Sequence, residues 1–131
     1  MNDATENKRP IRLLLIDDEK GFVATLAKRL AKRNIQATQA YNGREGIQAL
    51  RKGDFDVALL DLKMEDMDGL EVLKMIKIMA PQLPVIMLSG HASDESAHDG
   101  IKAGAFEYLT KPYDLKDLLA IIQRAVRQST T

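Results

Sequence analysis

The run IRLLLIDDE, Ile11 to Glu19, decides how this chain is read. Its apolar part is too short for a typical helix and suits a strand, and its near-continuity suits a parallel strand buried on both faces. Three acids then end it. Four more short apolar runs follow: Ile35 to Ala40, Val57 to Leu60, Val85 to Leu88, and Phe106 to Leu109. Three of these are again near-continuous. The second instead alternates, with Ile35, Ala37 and Gln39 set against Gln36, Thr38 and Ala40, as at a sheet edge. Between the runs the apolar spacing is helical, as in Phe22, Val23, Leu26 and Leu30, or Leu115, Leu118, Leu119, Ile122 and Val126. Asn42-Gly43 closes the second strand, Gly53-Asp54 ends the second helix, and Asp114 is placed to cap the fifth. Five β-α units with right-handed crossovers pack as an open sheet covered by helices on both faces.

The bulk properties agree with one soluble domain. The 131 residues suffice for a single core, and 45% apolar with 29% charged residues matches ordinary globular proteins rather than disordered or membrane chains. Lys+Arg and Asp+Glu both number 19, so no global field favours nucleic acid or an anionic membrane. We therefore expect neither direct nucleic-acid binding nor membrane association. With no cysteine there is no disulfide framework, thiolate metal site or thiol nucleophile, and the cytoplasm is the expected compartment. The polar ends suggest tails at 1–9 and 129–131 around a domain at 10–128.

Ligands in an open α/β sheet bind outside the carboxyl ends of the strands. At those ends stand Asp17-Asp18-Glu19, Asp61, Ser89, and Lys111 with Pro112. One Asp after a strand is ordinarily a turn former or helix cap. The whole set is not, because clustered carboxylates repel by ~1 kcal/mol per pair in water and ~4 at an effective dielectric of 20 unless a cation sits among them. Oxygen-only donors select a hard ion, and Mg²⁺ takes one or two carboxylates together with water and phosphate oxygens, with Mn²⁺ as a substitute. A carboxylate beside that ion can attack phosphorus. Lys111 and Ser89 would then supply charge and a hydroxyl to the phosphoryl oxygens. On chemistry alone Asp17, Asp18 and Asp61 remain equal candidates for the nucleophile.

Asp17-Asp18 after the first strand, Asp61 followed by Met64 and Met67-Asp68-Gly69, Leu88-Ser89-Gly90, and Tyr108-Leu109-Thr110-Lys111-Pro112 together resemble the response-regulator receiver domain of two-component signal transduction. The resemblance spans residues 10 to 128. It implies a single doubly wound five-stranded parallel sheet of the flavodoxin-like (βα)5 type, strand order 2-1-3-4-5. It further implies that Asp61 is phosphorylated by a sensor histidine kinase or a histidine phosphotransfer protein. Asp18, the Asp61 carboxylate and the backbone carbonyl of Lys63 would bind Mg²⁺, with Asp17 acting mainly through water. Ser89 and Lys111 would contact the phosphoryl group, and Tyr108 would change rotamer in the switch. Lys63 and His91 would tune the phosphoryl lifetime, while His98 reads as surface. The resemblance also suggests a cis Lys111-Pro112 bond. The fourth helix, near Asp94 to Ala103, has weak helix formers including Gly100. Together with the fifth strand and helix it is the surface expected to move and to control an output partner, with a phosphorylation-dependent homodimer as one result.

Two features stand apart from the pattern. Glu65 occupies a position where many members carry Pro, which removes a fixed φ from an already acidic loop, Leu62 to Gly69. Phe22 is either core or the apolar contact for the phosphodonor. Two other classes are weighed. A Mg²⁺-dependent phosphohydrolase of haloacid dehalogenase type would need an Asp-x-Asp pattern after the first strand, which Asp17-Asp18-Glu19 lacks. A flavodoxin would need a Ser/Thr/Gly-rich phosphate loop where these acids stand.

Overall fold

The computed structural model describes residues 9–62, 64–90 and 94–129. Strands and helices alternate as β1 (Ile11–Ile16), α1 (Lys20–Ala31), β2 (Ile35–Ala40), α2 (Gly43–Lys52), β3 (Val57–Asp61), α3 (Gly69–Met79), β4 (Val85–Ser89), α4 (Asp94–Lys102), β5 (Glu107–Thr110) and α5 (Leu115–Ser129). The five strands form one parallel sheet in the order β2-β1-β3-β4-β5.

Side chains alternate across a strand, so each near-continuous apolar run divides into two faces. Leu13 and Leu15, Val57 and Leu59, and Ile86 and Leu88 pack with Val23, Leu26 and Leu30 of α1 and Leu118 and Ile122 of α5. Leu14 and Ile16, Ala58 and Leu60, and Val85 and Met87 pack with Ile47 of α2 and Val72, Leu73 and Ile76 of α3. Helices thus cover both faces. The alternating β2 is an edge, as its pattern implies. β5 is the opposite edge, and it is only half-buried: it has one strand neighbour instead of two, and its run includes Glu107.

Local chemistry fixes several boundaries. Asn42 caps α2, its side chain accepting from the Glu45 amide at 2.8 Å, while Glu45 accepts in return from the Tyr41 amide. Gly100 lies inside α4 where helix propensity alone disfavours it. A Cβ there would stand 2.9 Å from the Met87 sulfur, so the helix approaches the sheet closely because this residue has no side chain. At the amino-terminal edge, Asp56 holds β1 to β3: it accepts from the Arg12 amide (2.8 Å) and guanidinium (3.1 Å), with Arg9 at 3.4 Å. Residues 1–8 and 130–131 of the expected tails lie outside the described residues, and α5 extends through Ser129.

Candidate functional site

Because every strand is parallel, all five carboxyl ends share one edge, and residues far apart in sequence meet there. Asp17 directly follows β1, and its amide still donates to the Ala40 carbonyl at 3.0 Å, continuing the ladder to β2. Its side chain is almost completely buried, at 1% exposure, and both oxygens are occupied. Oδ1 accepts from the Glu19 amide at 3.0 Å and Oδ2 from Lys111 Nζ at 2.7 Å. Asp61, the last residue of β3, is buried at 7% exposure, while Asp18 is partly exposed. One carboxylate oxygen from each of Asp17, Asp18 and Asp61 lies within 4.8 Å of the others.

Three like charges at that spacing disfavour the folded state, and Lys111 offsets part of the cost. Its amide donates to the Ser89 carbonyl at 2.9 Å, which sets the start of the β5–α5 connection. The ammonium bridges Asp17 and Glu19, at 3.0 Å from Glu19 Oε1, and lies 4.0 Å from the centre of the Phe22 ring. Burial pulls its pKa down, but its hydrogen bonds to Asp17 and Glu19 and the charges of Asp17 and Asp61 outweigh that and hold it above the usual lysine value. Among the described residues, one ammonium against three clustered carboxylates leaves negative charge in excess. An all-oxygen donor set with that excess fits a hard divalent cation.

Ser89 ends β4 and is fully buried. The Tyr108 hydroxyl is buried without a hydrogen bond of good geometry. Its pKa is raised, chiefly by burial and also by the Asp61 charge, while the nearby Ser89 hydroxyl opposes the rise. The Lys111-Pro112 peptide is cis. A groove of about 780 Å³ runs from the acids along α1 to the segment after β5, lined by Asp18, Asp61, Lys111, Phe22, Arg29 and Tyr113 among others. Phe22 is half-buried against the α1/α5 core and lines the groove, with Tyr113 edge-on to its ring.

The loop carrying Glu65 has other anchors. The Gly69 amide donates to the Leu62 carbonyl at 2.7 Å, and a Cβ on Gly69 would lie 2.5 Å from the carbonyl oxygens of Asp61 and Leu62. Asp68 caps α3 through the Leu70 amide. Asp66 accepts from the amides of Gly43 (3.0 Å) and Arg44 (3.1 Å) at the start of α2. Of the sequence candidates, Asp17, Asp18, Asp61 and Lys111 come together directly, with Ser89 and Tyr108 beside them; Lys63 and His91 lie outside the described residues. Glu19, Phe22 and Asp66 carry no local sequence signal for these contacts, each of which spans at least 22 residues except those made within one turn.

The sequence profile of the family described as Response regulator receiver domain matches residues 13–123. The chain is 36% identical over 121 residues to the transcriptional regulatory protein GlrR of Escherichia coli (strain K12), covering 92% of this chain and 27% of GlrR. It thus spans about a quarter of that relative. Among solved structures it is similar to a CheY-like response regulator receiver domain protein from Methanospirillum hungatei JF-1. That likeness has a TM-score of 0.89 and 29% identity, over 92% of this chain and 97% of the other. It is also similar to a beryllofluoride-activated NtrC4 receiver domain dimer, with a TM-score of 0.86 and 32% identity over 90% and 98% of the two chains. The phosphohydrolase alternative finds no support among these matches. In sequence and in fold, the chain belongs to the response regulator receiver domains.

Proposed function

We propose that Asp61 is the phosphoryl acceptor of this receiver domain. The observation that carries the reading is the meeting of Asp17, Asp18 and Asp61 within 4.8 Å beside the Lys111 ammonium, at the open end of a groove. An Asp61 oxygen attacks the phosphorus of a phosphohistidine on a kinase or phosphotransfer protein. The P–N bond breaks, the imidazole departs with the electron pair and takes up a proton, and Asp61 becomes an acyl phosphate. Lys111 trades its contact with Glu19 for a phosphoryl oxygen, and the Ser89 hydroxyl donates to another. Mg²⁺, or Mn²⁺ in its place, neutralises phosphoryl charge when bound.

Asp18, Asp61 and the Lys63 backbone carbonyl are its proposed direct ligands. Asp17 suits contact through water, since both of its oxygens already accept hydrogen bonds. The chain acts as a switch whose only catalysis is on itself, with Lys63 and His91 setting how long the label lasts. Tyr108, whose hydroxyl lacks a good partner, changes position when Ser89 is drawn to the phosphoryl group. That change moves the face of α4, β5 and α5, which acts on an output partner or a second copy in the cytoplasm. The activated dimer among the similar structures favours the second copy, and the name of GlrR favours control of transcription.

The test is incubation of the intact chain with acetyl phosphate and Mg²⁺, followed by intact mass. A gain of one phosphoryl group in the wild type and none in Asp61→Asn is expected. Equal labelling of both proteins, or turnover of phosphate monoesters without labelling, overturns the assignment.

A further inference from the structure

Asp66 lies in the β3–α3 loop, yet its two carboxylate oxygens accept from the first two amides of α2, at 3.0 Å for Gly43 and 3.1 Å for Arg44. Helix capping needs only a local residue, and α2 already has one in Asn42. Asn42 serves only the Glu45 amide, so Asp66 takes the two amides left over, and because it comes from another loop it also ties that loop to the helix. It fixes the middle of a loop whose ends are set by the Gly69–Leu62 hydrogen bond and by the Asp68 cap on α3, and Met67 packs against Gly43 beside it. Burial pushes the Asp66 carboxyl up, but four amide donors, those of Gly43, Arg44, Asp66 itself and Met67, hold it below the usual carboxylate range. It remains an anion, the better acceptor.

We propose that Asp66 is a positioning residue for the cation and phosphoryl site, a tether that ties the loop leading out of Asp61 to the amino terminus of α2 and so holds the loop backbone where the cation is bound. This rests on the acceptor reading above. Residues that orient ligands from behind commonly cost about 10–100-fold in metal affinity when removed. The coupling is also reciprocal: whatever fixes the loop must fix the Gly43 and Arg44 amides.

The test compares the wild-type chain with Asp66→Ala, Asp66→Asn and Asn42→Ala. Mn²⁺ affinity is read from the electron paramagnetic resonance of the free ion, and hydrogen exchange at Gly43 and Arg44 is followed with and without Mg²⁺. Asn42→Ala removes a cap from the same helix end but leaves the loop tied, so it reports what α2 fraying alone does. The expected result is an Mn²⁺ affinity about tenfold weaker in Asp66→Ala, mostly recovered in Asp66→Asn, which keeps an acceptor oxygen, and unchanged in Asn42→Ala. Mg²⁺ should slow exchange at Gly43 and Arg44 in the wild type and not in Asp66→Ala. Equal Mn²⁺ affinity in the wild type and both Asp66 variants, or a loss in Asn42→Ala matching that in Asp66→Ala, overturns the tether. A wild type that binds no Mn²⁺ overturns the acceptor reading itself, a different outcome.

Discussion

The Lys111 ammonium meets Asp17 Oδ2 at 2.7 Å across 94 residues of chain, with the carboxylate buried and the ammonium nearly so. Removing one partner of such a pair strands the other, at about 3–5 kcal/mol. Lys111→Ala is expected to lower stability by about that lower figure in chelator. Mg²⁺ neutralises the same acids, so adding it should raise the melting temperature more in Lys111→Ala than in the wild type. A smaller rise in the variant would contradict this account of the charge balance.

Tyr108 carries a buried hydroxyl with no partner of good geometry. An unsatisfied buried polar group costs about 1–3 kcal/mol. Tyr108→Phe should therefore raise the urea midpoint, by about 1 kcal/mol in free energy, while leaving Asp61 open to labelling. A clear loss of stability would mean that the hydroxyl has a partner worth keeping.

The Asp56 carboxyl is pushed up by burial but pulled further down by the hydrogen bonds and charge of Arg12 and the charge of Arg9, so its folded pKa lies below its unfolded value. Its stabilisation is present above the unfolded value, about 3.9, and is lost as pH falls through the folded one. Denaturation at pH 7 should find Asp56→Asn less stable than the wild type. The gap should close below about pH 4, and a gap that widens with acid would reverse the sign assigned to this group.

Gly100 in α4 gives a case where propensity and packing disagree. In an exposed helix, Gly→Ala gains about 1 kcal/mol. Here the new methyl would stand 2.9 Å from the sulfur of fully buried Met87, so Gly100→Ala should gain nothing or lose stability. In a Met87→Ala background the same change should become stabilising. Additive effects in this double-mutant cycle would remove the packing explanation.

The sheet was legible because its signals are local. The runs at Ile11 and Ile35 are the strands as observed, and those at Val57 and Val85 stop one residue early because Asp61 and Ser89 are polar although still paired. β5 begins one residue later than its apolar run, because Phe106 already belongs to the turn into the strand. The acidic edge was equally readable, since strand ends are where such residues gather. Glu65 leaves the rigidity of its loop open in the sequence, and the contact of Asp66 with α2, a helix that begins 23 residues earlier in the chain, has no local signal. Likewise the Glu19–Lys111 pair, the ring of Phe22 beneath the ammonium and the Gly100–Met87 contact depend on how elements approach in space. No periodicity or capping pattern encodes such meetings.

The carboxylates, the hydroxyl and the ammonium of the acidic edge come from the ends of four strands, and the full set is together only when β1, β3, β4 and β5 have all assembled in order. A nascent or damaged chain lacking β5 would hold all three clustered acids and have no Lys111 to balance them. Receipt of the signal is thereby conditional on complete folding, so that the chemical mark also certifies the integrity of the molecule that bears it.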